Sequence, residues 1–212
     1  MIHVMLVDDH ELIRIALAKI LGEARDIKVI AEASSGEEAL EQARRLKPDV
    51  VMLDVQMPGM GGIEATQRLI SLPCKPKVIV ISVYSQEPYP RRLLEAGALG
   101  YLPKGVRAEE ILAAIRSVVK GRPYLSAEIA SALALASLAG GPKSPLDTLS
   151  KREMQVMLML IQSYSPQAIA ESLNISIKTV FTHRYRIYDK LGVDNDVALT
   201  HLALRHGVLA EC

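Results

Sequence analysis

Short apolar runs alternate with amphipathic segments along residues 1–120. The apolar runs predict buried strands, which are expected near residues 2–7, 27–33, 49–54, 77–82 and 99–102. The segments between them carry apolar residues at helical spacing and predict helices near residues 10–22, 36–46, 62–71, 86–97 and 107–120. Strands that alternate with helices form a parallel sheet covered on both faces. Right-handed crossovers then predict an α/β flavodoxin-like (βα)5 domain.

Residues 146–212 show helical periodicity and no strand pattern. Helices are predicted near residues 150–163, 166–173, 177–190 and 196–206. Ser150 and Glu153 have the spacing of a capping box at the first helix, and Gly207 suits the position after the last. Two helices joined by a short turn, the second of them basic, are typical of an all-α helix-turn-helix domain.

A linker is predicted between the two halves, at residues 121–145. Gly121-Arg122-Pro123 ends the α/β pattern, and an Ala/Leu-rich amphipathic helix follows from Ser126 to Ala139. An isolated helix of that length is marginal in water, so we expect it to dock on a neighbouring domain. The glycines and prolines of residues 140–145 predict the flexible part of the linker.

Four of the predicted strands lead to chemically reactive side chains. Asp8 and Asp9 follow the first strand, Asp54 ends the third, Ser82 ends the fourth and Lys104 follows the fifth. Because ligands of an open parallel sheet bind outside the carboxyl ends of its strands, we expect these groups to meet at one edge. This set of three carboxylates, a hydroxyl and an amine is suited to the reversible phosphorylation of one of the carboxylates.

Phosphoryl transfer to an aspartate needs its oxygen charges to be neutralised and positioned. A hard divalent cation such as Mg²⁺ does both and prefers octahedral oxygen ligands. We expect Asp9 and Asp54 to bind the metal directly, Asp8 to bind it through water, and the backbone carbonyl of Gln56 to be a further ligand. Lys104 would then pair with the phosphoryl oxygens.

Composition adds few constraints. The chain has 212 residues, which is enough for one or two domains, a formal net charge of +1 and 50% hydrophobic residues, so a sizeable core can be buried. Residues 174–190 are locally basic. Cys74 and Cys212 lie far apart and form no metal-ligand pattern, which favours a reducing cytoplasmic location. We also expect no secretion signal and no membrane span, since no apolar segment reaches about 20 residues.

Residues 1–120 resemble a two-component receiver domain. The matching motifs are Leu6–His10, Met52–Met60, Ile81–Ser82 and Gly100–Lys104. The resemblance implies the following roles: phosphoacceptor for Asp54, acidic metal pair for Asp8 and Asp9, switch hydroxyl for Ser82, switch aromatic for Tyr101 and invariant lysine for Lys104. One departure is that Pro103 precedes the lysine, whereas most receivers place a proline after it.

Residues 146–209 resemble the LuxR/FixJ-type helix-turn-helix. The matching motifs are Leu149–Glu153, Ala168–Leu173, Ser176–Val180, His183 and Lys190–Val193. The resemblance implies that Phe181, Thr182 and Tyr185 face base edges in the major groove. It places the following residues against phosphates, where they position the protein: Ser176, Lys178, Thr179, Arg184, Arg186 and Lys190. It makes the last helix a dimer contact on an inverted repeat.

Both halves together resemble the NarL/FixJ response regulators over almost the whole chain, and residues 85–94 and 182–188 are most similar to the GacA/UvrY group. That resemblance implies a hybrid sensor histidine kinase of the GacS/BarA type and an active homodimer. The target promoters would be those of small regulatory RNAs in a global post-transcriptional and virulence circuit. Phosphorylation would draw in Ser82 and Lys104, turn Tyr101 inward and release the helix-turn-helix domain.

Three other interpretations fit parts of the pattern. A metal-dependent phosphohydrolase could use Asp54 as nucleophile, but it would need a second acid where this chain has Gln56. The helical half could be a structural bundle with a solvated basic face, although the matched motifs favour a DNA reader. The third interpretation is DNA binding without phosphorylation control. It is disfavoured because the chain has the complete set of acids, hydroxyl and lysine.

Overall fold

The computed structural model describes residues 1–86, 88–138, 144–206 and 208, with only the backbone of residues 136–138. The predicted capping residue Gly207, the glycine pair at 140–141 and Cys212 lie outside the described residues. None of the helices in these ranges has the length and apolarity that crossing a membrane requires.

The first half forms a parallel sheet with helices on both faces. The strands are β1 Ile2–Val7, β2 Ile27–Ala33, β3 Val50–Asp54, β4 Lys77–Ser82, β5 Gly100–Pro103 and β6 Tyr124–Leu125. They pair in the order β2-β1-β3-β4-β5-β6. The helices are α1 Glu11–Gly22, α2 Gly36–Leu46, α3 Gly62–Ile70, α4 Tyr89–Glu95 and α5 Ala108–Val118. This architecture confirms the flavodoxin-like prediction.

The central strand shows why the sheet is covered on both faces. All residues of Val50–Asp54 are buried, so neither face of β3 meets water. On one face, Leu21 of α1 and Ile115 of α5 pack against the sheet. Helices α2, α3 and α4 cover the other face, where Leu69 and Leu93 are fully buried. A continuous apolar run is the sequence pattern that such a strand requires.

Two elements differ from the prediction. Helix α4 spans Tyr89–Glu95 instead of residues 86–97, because Pro88 and Pro90 limit its start and Gly97 follows its end with φ +102°. The sheet also gains β6, which pairs in parallel with β5. A strand of two residues has no detectable periodicity, so the prediction placed it in the linker.

Helix α6, Ala127–Leu138, continues from β6 and docks on the first domain. Ile129 is fully buried and belongs to the same apolar cluster as Leu93 of α4. This contact confirms the prediction that the amphipathic segment packs on a neighbouring domain. Leu135 on the same helix is exposed.

The second half is helical, as predicted. After a 3-10 turn at Pro145–Thr148, the helices are α7 Lys151–Ile161, α8 Pro166–Leu173, α9 Ile177–Leu191 and α10 Asp196–Arg205. Both hydrogen bonds of the predicted capping box between Ser150 and Glu153 are present. Asn174 ends α8 with φ 51° and Gly192 ends α9 with φ 64°, and these left-handed caps separate the helices.

Candidate functional site

The strand ends bring the predicted reactive groups together. Strands β1, β3, β4 and β5 are consecutive in the sheet, so the residues at their carboxyl ends share one edge. Lys104 Nζ lies 2.9 Å from Asp8 Oδ2 and 3.0 Å from Asp54 Oδ2. The lysine therefore holds two carboxylates that are 46 positions apart in the chain, as the sheet argument predicts.

Asp54 has two oxygens with different environments. Oδ1 accepts a hydrogen bond of 2.7 Å from the backbone N–H of Val55. Oδ2 is buried, faces Lys104 without hydrogen-bond geometry, and accepts a hydrogen bond from no described residue. Burial raises the pKa of this carboxyl to about 6, the Lys104 charge lowers it and the Asp8 charge raises it. One oxygen is thus held by a backbone hydrogen bond, while the other faces the Lys104 ammonium group.

Carboxylates and one imidazole form a group suited to a divalent cation. Donor atoms of Asp8, Asp9, His10 and Asp54 all lie within 4.8 Å of one another. Oxygen donors fit a hard cation, and among the described residues Oδ2 of Asp54 has only its ion pair with Lys104 as a partner. His10 was not predicted, although it directly follows the acidic pair. Its Nδ1 lies 2.8 Å from Asp9 Oδ1 and 3.2 Å from Asp8 Oδ1.

Gln56 occupies the position where a phosphohydrolase would need its second acid. Its side-chain amide donates a hydrogen bond of 2.6 Å to Tyr84 Oη. An amide is too weak an acid to protonate a leaving group, so this position has no general acid. Binding of a metal by the Gln56 carbonyl stays a prediction.

Ser82 and Tyr101 both contact the backbone of Tyr84. Ser82 Oγ accepts a hydrogen bond of 3.1 Å from Tyr84 N, and Tyr101 Oη donates one of 2.5 Å to Tyr84 O. Tyr101 is fully buried in this structure, and the inward turn of its ring on phosphorylation stays a prediction. The ring is already inside because its hydroxyl has a buried acceptor there.

A loop next to the phosphoacceptor contacts the helical domain. Gly59 N donates to Ser172 O at 2.7 Å, and Gly59 O accepts from Arg152 Nη1 and Gln155 Nε2, both at 3.1 Å. Gly59 has φ +73°, and a Cβ there would meet the Glu37 carboxylate at 2.7 Å. The loop therefore needs glycine for its backbone conformation, while the Glu37 carboxylate would have to move to make room for a side chain.

Helix α4 makes a second contact with the helical half. Arg92 Nη2 donates to the carbonyl oxygens of Leu146, Asp147 and Leu149 at 3.0, 2.8 and 2.8 Å. Arg91 pairs with the Asp147 carboxylate at 2.5 Å. These two arginines of α4 were not among the predicted site residues. Nothing in a linear pattern indicates that three backbone carbonyls face one guanidinium.

The predicted base-reading residues lie on an open helix face. Tyr185 is 69% exposed and Phe181 is 37% exposed, and they lie one turn apart on α9. Thr182 is also exposed, and its hydroxyl donates to Lys178 O at 2.9 Å. Ser176 caps the helix by accepting from Thr179 N at 3.1 Å. The contacts of the first domain with the helical half thus leave the proposed reading face uncovered.

Two predicted phosphate contacts have partners within the domain. Arg184 donates to Tyr188 Oη at 2.7 Å and to Asp196 Oδ2 at 2.6 Å. Lys190 pairs with Glu153 Oε2 at 2.6 Å. In this structure the two cations join α9 to α10 and α7, which departs from the prediction that they face phosphates. Lys178 and Arg186 are exposed, as such a contact requires.

Two family models match the two halves of the chain. The family described as response regulator receiver domain matches residues 4–116. The family described as bacterial regulatory proteins, luxR family, matches residues 147–203. The chain is 46% identical to the response regulator GacA of Pseudomonas aeruginosa, covering 99% of this chain and 98% of that protein. It is 44% identical to UvrY of Escherichia coli K12, covering 98% and 96%.

Solved structures of response regulators share this fold. The crystal structure of ChrA, a response regulator of a heme-sensing two-component system, is 37% identical, covers 98% of each chain and has a TM-score of 0.54. The RcsB response regulator of Salmonella typhimurium covers 97% of this chain and 98% of its own, with a TM-score of 0.75. At 22% identity, the second likeness shows the fold alone.

Proposed function

The chain belongs to the two-component response regulators that join a receiver domain to a LuxR-type DNA-binding domain, and on this premise we propose how its switch operates. It is a regulator and not an enzyme. A sensor histidine kinase phosphorylates Asp54, and phosphorylation controls sequence-specific DNA binding and transcription. The observation that carries this proposal is Asp54 Oδ2, a buried oxygen without a hydrogen bond from any described residue, 3.0 Å from Lys104 Nζ.

Each residue at the strand ends has one role in this switch. Asp9 and Asp54 would bind Mg²⁺ directly, with Asp8 acting through water and the Gln56 carbonyl as a further ligand. When bound, the cation supplies positive charge against the phosphoryl oxygens. Lys104 then exchanges its ion pair with Asp54 for one with the phosphoryl group, and Ser82 donates a hydrogen bond to another phosphoryl oxygen.

DNA binding uses helix α9 of two copies of the chain. Phe181, Thr182 and Tyr185 read base edges, with Phe181 suited to a thymine methyl group. Residues with polar side chains at the helix start and along its side contact phosphates: Ser176, Lys178, Thr179 and Arg186. Two copies pair through α10, where Val197 is 66% exposed, and read an inverted repeat.

The docked arrangement represents the resting state of this switch. Gly59 of the receiver contacts Ser172, which lies just before the turn that leads into α9. Because that turn approaches the DNA backbone when α9 enters the major groove, a docked receiver obstructs the approach of a duplex. Phosphorylation shifts a pre-existing equilibrium towards the released form.

The kinase and the targets are inferred from similarity to GacA and UvrY. We propose a hybrid kinase of the GacS/BarA type as phosphodonor and promoters of small regulatory RNAs as targets. The 46% identity over 99% of this chain supports this choice, as do the matching segments at residues 85–94 and 182–188.

Genome-wide occupancy in the native host tests the proposal, with wild type compared with Asp54→Asn. We expect a few strong peaks upstream of small-RNA genes that the substitution abolishes. Asp26→Asn is the matched control, because Asp26 is an exposed carboxylate at the opposite edge of the sheet, paired with Arg116. Peaks that persist unchanged in Asp54→Asn would contradict phosphorylation control, and peaks over many unrelated operons would contradict the small-RNA targets.

A further inference from the structure

Tyr84 contacts both halves of the phosphorylation switch through its backbone. Its N–H donates to Ser82 Oγ at 3.1 Å, and its carbonyl accepts from Tyr101 Oη at 2.5 Å. Tyr84 is only 4% exposed, so both bonds are shielded from water in this structure. Its ring stacks on that of Tyr89 with centroids 4.7 Å apart, which fixes the direction of its hydroxyl.

The hydroxyl of Tyr84 joins the receiver to the DNA-binding domain. Gln56, two residues after the phosphoacceptor, donates to Tyr84 Oη at 2.6 Å. Gln162, at the C-terminal cap of α7, donates to the same oxygen at 3.1 Å. The Tyr84 hydroxyl thus accepts one hydrogen bond from an amide of the phosphoacceptor loop and another from an amide of the helix-turn-helix domain.

A cavity beside this contact shows how close the two domains are to the reactive site. It has a volume of about 290 Å³ and lies between the receiver and α7. Asp9, His10 and Gln56 form its receiver wall, while Gln155 and Gln162 are on the opposite wall. The DNA-binding domain therefore forms part of the entrance to the phosphoacceptor pocket.

We propose that Tyr84 is the positioning residue that couples phosphoryl binding at Asp54 to docking of the DNA-binding domain, through the bond from Gln162. This inference rests on the proposed phosphorylation switch and specifies its route. When Ser82 Oγ moves towards a phosphoryl oxygen, the Tyr84 backbone moves with it because the two are hydrogen-bonded. The stacked ring then carries its hydroxyl away from Gln162, and the docked domain loses one of its contacts.

Coupling between two binding events is reciprocal at equilibrium. If a phosphoryl group weakens docking through Tyr84, then docking weakens phosphoryl binding by the same factor. A neutral hydrogen bond contributes about 0.5–1.5 kcal/mol, so each effect should be about twofold to tenfold. Both directions can be measured in the full-length chain with beryllofluoride, which mimics the phosphoryl group.

The test is a double-mutant cycle on Tyr84→Phe and Gln162→Ala, with Mg²⁺ present. Gln162 is exposed, so its substitution leaves the core intact. We expect Gln162→Ala alone to tighten beryllofluoride binding about twofold to tenfold by calorimetry, and to tighten DNA binding without beryllofluoride by a similar factor. In the Tyr84→Phe background, Gln162→Ala should have no further effect, because its acceptor is absent.

Gln155→Ala is the matched control, since Gln155 donates across the same interface at the same distance but to Gly59 O. It should loosen docking equally in both backgrounds. Equal effects of Gln162→Ala in wild type and in Tyr84→Phe would overturn the coupling route while leaving the switch in place. Failure of the wild-type chain to bind beryllofluoride would instead overturn the proposed phosphorylation, and the coupling with it.

Discussion

The phosphoacceptor pocket and the DNA-reading helix lie in one chain but are built in opposite ways. In the pocket, Asp54 is 2% exposed and Ser82 is fully buried, and each reactive group contacts another group of the protein. On α9, Tyr185 is 69% exposed, and its neighbours on that face point to solvent. The reactive side chains of the pocket already contact other groups of the same molecule, whereas the reading face gains its partners only from DNA.

This difference predicts how the two regions respond to substitution. A change in the pocket leaves a buried charge without its partner, so it should alter stability and function together. A change on the open face of α9 should alter DNA binding with little effect on folding, because solvent already surrounds the side chain. A pocket substitution that leaves stability unchanged, or a substitution on the open face of α9 that unfolds the domain, would contradict this expectation.

The largest effect is expected from Lys104→Met. It leaves the carboxylates of Asp8 and Asp54 buried, adjacent and without a cation, and removal of one partner of a buried pair typically costs about 3–5 kcal/mol. We expect urea unfolding at pH 8 to show a loss of about 3 kcal/mol and phosphorylation to fall at least about 100-fold. Lys28→Met on the exposed side of β2 is the control. If Lys104→Met is as stable as wild type, the ion pairs of Lys104 do not stabilise this edge of the sheet.

Asp54→Asn should act in the opposite direction on stability. The pKa of Asp54 is raised from 3.8 to about 6, so wild-type stability falls as pH rises between these values. Above pH 6 the native protein contains an ionised buried carboxylate, which asparagine replaces with a neutral group. We expect the variant to be more stable by about 1–3 kcal/mol at pH 8, with the difference vanishing near pH 4.

Added Mg²⁺ should stabilise wild type more than Asp54→Asn. A cation that binds only the native protein stabilises it, and the wild-type site has one more carboxylate than the variant. Thermal unfolding at pH 8 should therefore show a larger Mg²⁺-dependent rise for wild type than for Asp54→Asn. An Asp54→Asn protein that is less stable than wild type at pH 8 without metal would argue that the Lys104 contact outweighs the burial of Asp54.

Arg92→Ala should separate the two regions without altering either of them. Arg92 Nη2 donates to three backbone carbonyls at the start of the helical half, and none of them belongs to the pocket or to α9. We expect a larger radius of gyration by small-angle X-ray scattering and about tenfold tighter DNA binding without phosphorylation. Arg68→Ala, which removes an exposed ion pair with Glu64 on α3, is the control. Unchanged dimensions would show that docking does not depend on α4.

The comparison also explains which features could be predicted from sequence. Asp8, Asp54, Ser82 and Lys104 were predictable because strand order determines which residues share an edge, and strand order follows from the alternation of elements. The ion pair between Lys190 and Glu153 was not predictable, because the sequence of a basic helix does not distinguish a lysine that pairs within the domain from one that contacts a phosphate. The Tyr84–Gln162 bond depends on how two domains dock, and periodicity within each domain does not report on that.

The smallest effect is expected from Lys178→Ala, and its contrast with Lys190→Ala is informative. Lys178 is exposed on α9, so its loss should weaken binding to all DNA sequences a few fold and lower the salt dependence by about one ion. Lys190→Ala should instead destabilise the domain, because it leaves the Glu153 carboxylate, which is 3% exposed, without its cation. The measurements are DNA affinity against salt concentration and urea unfolding for both variants. If Lys190→Ala lowers the salt dependence of DNA affinity as Lys178→Ala does, Lys190 binds a phosphate in the complex. The ion pair between Lys190 and Glu153 would then be present only in the DNA-free protein.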